Sequence, residues 1–231
     1  MKALEDGQLK ERLALIDIYA REINCTWFGL AYSGCRFVAT TMGSDRAQTL
    51  KSLMGSIPSG VQYRIVENGS EFAERAVVKL EAVHRGVEEF GAFELATEWV
   101  LEPLASVLKV AASIPTGYVS SYGSVARAAG TEPKEVGRIM ASNPLYPLVA
   151  CHRIVGTDFS LVGYGGRKSL SALKAKLARL NAECRGFTRA KDISINRSTL
   201  TVHPTERVIQ KAKKQGLSTS AWAQRRLTSY E

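Results

Sequence analysis

The 231-residue chain has no uninterrupted apolar run near the about 20 residues that a bilayer requires. Its first stretch, MKALEDGQLKERLALIDIYA, is charged throughout and lacks the apolar core of a secretory signal. The expectation is a soluble, cytoplasmic protein. Cysteine is scarce, with four residues, Cys25, Cys35, Cys151 and Cys184. No two stand as CxxC, which argues against a zinc knuckle. Cys25 and Cys35 flank an expected hairpin turning at Ser33-Gly34. That turn does not set them face to face, so both read as free thiols. Histidine is scarcer still, with three. His84 stands alone in the N-terminal part and reads as a surface or packing residue.

Composition is otherwise ordinary, 45% hydrophobic and 23% charged. That is enough for one large domain or two small ones. The net charge is +9, from 31 basic and 22 acidic side chains. Residues 1–90 carry 11 basic and 12 acidic groups, residues 91–183 carry 10 and 7, and residues 184–231 carry 10 and 3. An excess gathered at one end suggests a polyanionic partner, most simply nucleic acid.

Residues 8–22 read as a helix, because Leu9, Leu13 and Ile16 share a face; a strand from Leu13 is the alternative. INCTWFGLAY and CRFVATTM read as strands, Ser44 to Met54 as a short helix, VQYRIVE as a strand and residues 71–89 as a helix. Phe93 to Ala112 has helical periodicity, interrupted by Pro103. Ser120 or Ser121 can cap a helix that runs to Ala129 and stops at Gly130. Thr131 and Pro133 open another, to about Ser142. Two short helices around a Gly-containing turn form a helix-turn-helix pattern, with Lys134 to Ser142 as its second, recognition helix.

NPLYPLVACHRIVG, Asn143 to Gly156, is the most unusual stretch. An apolar run reads as a buried strand, yet it ends in Cys151-His152-Arg153 rather than in turn residues. A thiol beside an imidazole at that place reads as a nucleophile. A Gly-rich loop with Tyr164 follows. Leu170, Leu173, Leu177 and Leu180 then mark a helix with a basic outer face.

IPTGYVSSYGSVARAAG, PKEVGRIMASNP, ACHRIV and VGYGG, in that order and spacing, resemble the O6-alkylguanine-DNA alkyltransferases over about residues 92–183. The resemblance implies an α+β protein: a small N-terminal sheet domain (1–90) and a mostly helical domain (91–185) carrying the helix-turn-helix and the cysteine. A basic extension (186–231) follows. It implies a DNA repair transferase, acting on double-stranded DNA that contains O6-alkylguanine. The alkyl group passes irreversibly to Cys151, in one turnover, with the base flipped out of the helix and no cofactor. A DNA substrate implies association with the nucleoid.

The resemblance also implies roles. His152 takes the thiol proton through a water, and Glu183 is the best candidate to orient it. Reaching Glu183 needs a loop about five residues longer than the family pattern. Asn143 braces the turn before the cysteine, and Tyr164 serves the leaving guanine. Backbone groups of Val149 and Cys151 read the base edge. Tyr122 pushes the 3′ phosphate. Ser121 and Arg138 belong to the DNA-binding surface. Lys134 falls where the family inserts Arg into the duplex, Ala150 replaces the usual Pro, and Gly165 stands where many members have Ser. Arg153 matches a structural residue. Cys25, Cys35 and His84 do not reproduce the zinc set of some relatives, so no metal is expected.

The extension resembles, weakly, a ribbon-helix-helix module. Its parts are an alternating stretch at 193–203, a basic helix from Thr205 to Gln215 and a second helix capped by Ser218. Arg197, Thr199 and Thr201 then face bases, Leu200 and Val202 face the core, and the module offers a route to a homodimer. A basic, partly ordered appendage is the alternative. Two other functions compete with repair: a non-enzymatic sensor of alkylated DNA, and a DNA-binding regulator. A Cys-His hydrolase is the weakest reading, because no oxyanion donor set is evident.

Overall fold

The computed structural model describes residues 15–87, 91, 93–195 and 198–217. The first half of the expected N-terminal helix, Arg197 and the second tail helix lie outside them. The described residues form two compact units. No described helix is long and apolar enough to cross a membrane.

The first unit takes the described residues up to His84, those from 91 to Leu101, and Pro144–Pro147. IDIYAREI forms strand β1 (Ile16–Ile23), so the strand alternative holds from Ile16 and the helix does not. The period decides it: Ile16 and Ile18 are both fully buried, two positions apart. β2 (Thr26–Ser33) and β3 (Arg36–Gly43) complete an antiparallel meander. INCTWFGLAY is therefore not one strand. Asn24 and Cys25 turn between β1 and β2 with φ of 51° and 57°, the left-handed pair of a tight hairpin. The second turn is Gly34-Cys35, since Ser33 pairs with Arg36. Both cysteines are free and exposed, at opposite ends of β2.

Helix α1 (Arg46–Met54) starts at Asp45, whose carboxylate accepts from Gln48 N at 2.8 Å. A short strand, β4 (Tyr63–Ile65), runs parallel to β1, and the sheet order is β3-β2-β1-β4. Helix α2 (Glu71–His84) follows. Of the expected helix from Phe93 to Ala112, only the part after Pro103 forms. Leu95 instead makes a parallel bridge to Phe37, whose N–H donates to Glu94 O and whose carbonyl accepts from Ala96 N, both at 2.9 Å. The apolar residues of this stretch pack on a sheet edge at a spacing that mimics a helical stripe.

The second unit begins with α3 (Leu104–Ala112). β5 (Tyr118–Ser121) leads directly into α4 (Tyr122–Ala129), capped by Ser121, whose Oγ accepts from Ser124 N at 3.0 Å. Gly130, at φ 69°, ends α4. α5 (Pro133–Ala141) opens on its proline three residues later. The run Leu145–Ala150 is not a strand. Leu145, itself part of the first unit, bridges to Thr40 there, and Cys151–Arg153 of the second unit forms one turn of 3-10 helix. β6 (Ile154–Val155) and α6 (Leu170–Ala182) follow.

The described part of the extension falls within this unit. β7 (Lys191–Ile195) and β8 (Ser198–Pro204) form a hairpin, and α7 (Thr205–Lys214) succeeds it. β8 also pairs with β5, through Tyr118↔Pro204 and Val119↔His203. The sheet order is thus β6-β5-β8-β7. This pairing differs from what the ribbon-helix-helix resemblance implies for the strand at 193–203. Such a module needs a strand with a free edge for a second chain, whereas β8 is paired on both sides within its own chain. Leu200 and Val202 do face the core, both fully buried. Thr201 lies on the opposite, outer face of β8, where its hydroxyl donates to the exposed Asp192 Oδ1 at 2.8 Å. Val208 and Ala212 of α7 join Val119, Val155, Leu177 and Leu180 in one apolar cluster.

A chain truncated after Arg185 therefore loses core as well as charge. Leu200, Val202 and Val208 each contribute about 1.5–3 kcal/mol by burial, against a total of about 5–15 kcal/mol for a domain. The truncated chain is expected to lose its cooperative thermal transition. A transition within a few degrees of the full-length protein would contradict this integration.

Candidate active site

Asn143, just past the end of α5, sets the local path. Its Nδ2 donates to Val149 O at 2.8 Å and so closes the loop that precedes the cysteine. The same carbonyl accepts from Cys151 N at 3.0 Å, and Arg153 N donates to Ala150 O at 2.9 Å. Those bonds wind Cys151-His152-Arg153 into its 3-10 turn. Val149 O thus accepts twice within the chain. β6 then pairs beside β5, through Ser120↔Ile154 and Ser121↔Val155, and holds the turn against the start of α4.

All three residues of the turn are buried. His152 Nε2 lies 2.8 Å from Glu183 Oε1. Arg153 meets the same carboxylate with its planar fork, Nε to Oε2 and Nη2 to Oε1, each at 2.9 Å. Its remaining donors go to Ile114 O at 2.7 Å and Thr116 Oγ1 at 2.9 Å. Burial alone would raise Glu183; His152 and Arg153 outweigh it and bring the carboxyl down to about 2. Burial lowers His152, with Glu183 pulling the other way. The imidazole is therefore neutral near pH 7. With Nε2–H given to the carboxylate, Nδ1 is the lone-pair nitrogen, and it is buried without a hydrogen-bond partner among the protein atoms.

Burial raises the Cys151 thiol, opposed first by Lys176 and next by the Asn143 side chain. Sequence reasoning missed Lys176, taking its helix to have a basic outer face. The side chain points inward and is fully buried. Its ammonium donates to Ile154 O at 2.6 Å, Leu161 O at 2.9 Å and Gly163 O at 3.0 Å. Burial pushes it down to about 8, with Cys151 countering. The signal was present in spacing. Lys176 stands three after Leu173 and four before Leu180, on the apolar stripe of α6.

The sulfur borders a pocket of about 320 Å³, at the small end for ligand sites. Tyr122, Gly137 and Met140 line it on the helical side, and Val162 to Lys168 on the other. Tyr164 lies in that second wall. Its backbone pairs with Arg167 around Gly165-Gly166, whose φ of 54° and 71° only glycine adopts readily. Burial raises the Tyr122 hydroxyl. Ser121 spends its hydroxyl on the cap of α4. Lys134 is exposed on the first turn of α5. Arg138 is also exposed, its Nε 3.0 Å from Glu135 Oε2. Thus Asn143, Cys151, His152, Glu183, Tyr122 and Tyr164 come together around the turn and pocket, whereas Lys134 and Arg138 lie on the surface of α5. Among the described residues no three His, Cys, Asp or Glu side chains gather to hold a metal ion.

Residues 103–185 match the family model described as "6-O-methylguanine DNA methyltransferase, DNA binding domain". A methylated-DNA-protein-cysteine methyltransferase of Mycobacterium leprae is 36% identical over 131 residues, 54% of this chain and 72% of that protein. One from Pyrobaculum aerophilum is 47% identical over 68 residues, 28% of this chain and 46% of that protein. The chain thus spans about half the length of the second relative. The fold is similar to a crystal structure of O6-methylguanine-DNA methyltransferase from Pyrococcus kodakaraensis. Its TM-score is 0.52 at 23% identity, covering 73% of this chain and 98% of the other. It is also similar to Mycobacterium tuberculosis OGT in complex with DNA, with a TM-score of 0.51 at 24% identity over 72% and 92% of the two chains.

Glu183→Gln leaves the Arg153 guanidinium buried without its counter-charge, and a loss of about 3–5 kcal/mol is expected in chemical denaturation near pH 7. The folded carboxyl is depressed from 4.5 to about 2, so its contribution is complete above 4.5 and disappears as pH falls toward about 2. The gap between wild type and variant should close over that window. A gap independent of pH there would contradict the assignment.

Proposed function

This chain belongs to the methylated-DNA-protein-cysteine methyltransferase family, and from that premise we propose that it repairs DNA by moving an alkyl group from O6 of guanine to Sγ of Cys151. The observation that carries the reading is a cysteine on a pocket wall, with a neutral histidine beside it in the chain and a buried ammonium acting on its charge.

The reaction begins from a protonated thiol, since burial raises Cys151. Its proton passes through one water to the lone pair of His152 Nδ1, and Glu183 stabilises the imidazolium that forms. Lys176 and the Asn143 amide favour the thiolate. Sγ then attacks the alkyl carbon, a carbon–sulfur bond forms, and the carbon–O6 bond breaks with its electron pair going to guanine. The purine takes a proton from the Tyr164 hydroxyl as it leaves, and the proton held on His152 returns through solvent to restore Tyr164, so the thiol proton ends on guanine. No residue of the site reverses the thioether, so each molecule acts once.

The partner we propose is duplex DNA containing O6-alkylguanine, and with it a place at the nucleoid in the cytoplasm. Helices α4 and α5 act as a helix-turn-helix, with α5 toward the major groove. The lesion has to leave the stack, at a cost of about a few kcal/mol. Lys134 occupies the filled gap as a compact charge rather than a planar fork, Tyr122 presses on the 3′ phosphate, and Arg138 adds phosphate contact once released from Glu135. The sensor reading, binding without transfer, is disfavoured by the presence of the thiol and its partners.

Incubation with O6-benzylguanine should add one benzyl group to the peptide containing Cys151, and Cys151→Ala should abolish the adduct while keeping affinity for alkylated duplex. An intact, folded protein that binds the duplex but gains no mass would move the conclusion to the sensor.

The pH profile of labelling by the free base tests the charge arrangement. The thiol loses its proton as pH rises, so the rate should climb through neutrality. Above about 8, where Lys176 gives up its own proton, each gain in thiolate is matched by a loss of ammonium, and the profile should level off. A rate that keeps climbing past that point would remove Lys176 from this role.

A further inference from the structure

The loop from Gly156 to Tyr164 forms one wall of the pocket, and its backbone is under strain. Phe159 and Val162 hold φ of 64° and 60°, in the left-handed region. A large and a β-branched residue persist there only where the surroundings over-determine them. Within the loop, Gly156 N donates to Ser160 O at 2.8 Å and Asp158 Oδ1 accepts from Ser160 N at 3.1 Å. Lys176 of α6 holds the far end of the loop through Leu161 O and Gly163 O, and the restraints on Asp158 and Phe159 come from the C-terminal extension. The Phe159 ring meets His203 of β8 edge to face, with centroids 5.2 Å apart. The Arg207 guanidinium lies over the same ring, 5.4 Å from its centroid. Lys211 Nζ is 3.4 Å from Asp158 Oδ2. Phe159 also packs on the cluster that includes Val208 and Ala212 of α7. Three residues beyond Phe159, Val162 and then Tyr164 face the pocket.

We propose that β8 and α7 position the pocket wall: His203, Arg207 and Lys211 clamp Phe159 and Asp158, and so fix where Val162 and Tyr164 stand relative to Cys151. The clamp is a positioning device and touches no reacting atom. It rests on the alkyl-transfer reading for its consequence, which is the rate and the alkyl size that the site admits. His203 suits a packing role. Its Nδ1 is buried without a hydrogen-bond partner, and burial lowers its pKa, so it sits as a neutral ring.

The test uses the full-length chain. Phe159→Gly keeps the backbone angle without strain and removes the clamped ring. His203→Ala removes one jaw, and His203→Phe keeps it. Labelling of Cys151 by O6-methylguanine and O6-benzylguanine should slow about tenfold in Phe159→Gly. The ratio of the two rates should shift by about threefold or more, because a loosened wall no longer discriminates size. His203→Ala should follow in the same direction and His203→Phe should keep the wild-type rates. Amide exchange across residues 160–164 reads the clamp without any chemistry and should accelerate in Phe159→Gly and His203→Ala. Unchanged exchange overturns the inference, as does an equal slowing of both substrates, which is what a plain stability loss would give. A wild-type protein that exchanges as expected yet is never labelled sinks the proposed function and leaves the clamp standing.

Discussion

The second unit is organised around one carboxylate. Glu183 sits buried at the end of α6 and receives a two-pronged contact from Arg153 and a third from His152. Arg153 reaches onward to Ile114 and Thr116, so this one group ties the end of α6, the cysteine turn and the segment before β5 together. A buried charge of either sign is costly unless matched, and here each charge is the other's remedy. The same contacts fix which imidazole nitrogen carries a proton. Structure and reactivity therefore share a cause: the ion pair that holds the turn also sets the tautomer beside the thiol.

Lys176 is the second buried charge, and its solution differs. Three backbone carbonyls surround its ammonium, and among the described residues no carboxylate hydrogen-bonds to it. Its positive field is thus not neutralised locally and reaches Cys151. Two of the three carbonyls, Leu161 and Gly163, belong to the loop that walls the pocket. The group that favours the thiolate also anchors the surface against which a substrate would rest.

What could be read from the sequence followed the range of the interactions. The cap at Ser121, the stop at Gly130 and the proline start of α5 are decided within four residues, and each stands where the sequence puts it. Cys151 stands out in the sequence from its immediate neighbours, and the structure puts it on a pocket. Its backbone was not: a strand was expected, but Asn143 and Val149 O impose a 3-10 turn through a bond spanning six residues. Leu95 was misread because helical spacing also arises when a chain packs on a sheet edge, here against Phe37. Lys176 was missed because charge was allowed to outweigh position on the stripe. The alternating residues of β8 were readable as a strand, yet nothing local names β5 as a partner.

That last pairing has a consequence for how the molecule is made. Val119 waits for His203, 84 positions later, before its strand gains a neighbour on that side. On a ribosome, the first sheet can close early, since β1, β2 and β3 are adjacent in the chain. The sheet beneath the cysteine turn cannot, and contacts of such long sequence separation form slowly. A nascent chain therefore leaves Val119 without its β8 neighbour until His203 has emerged.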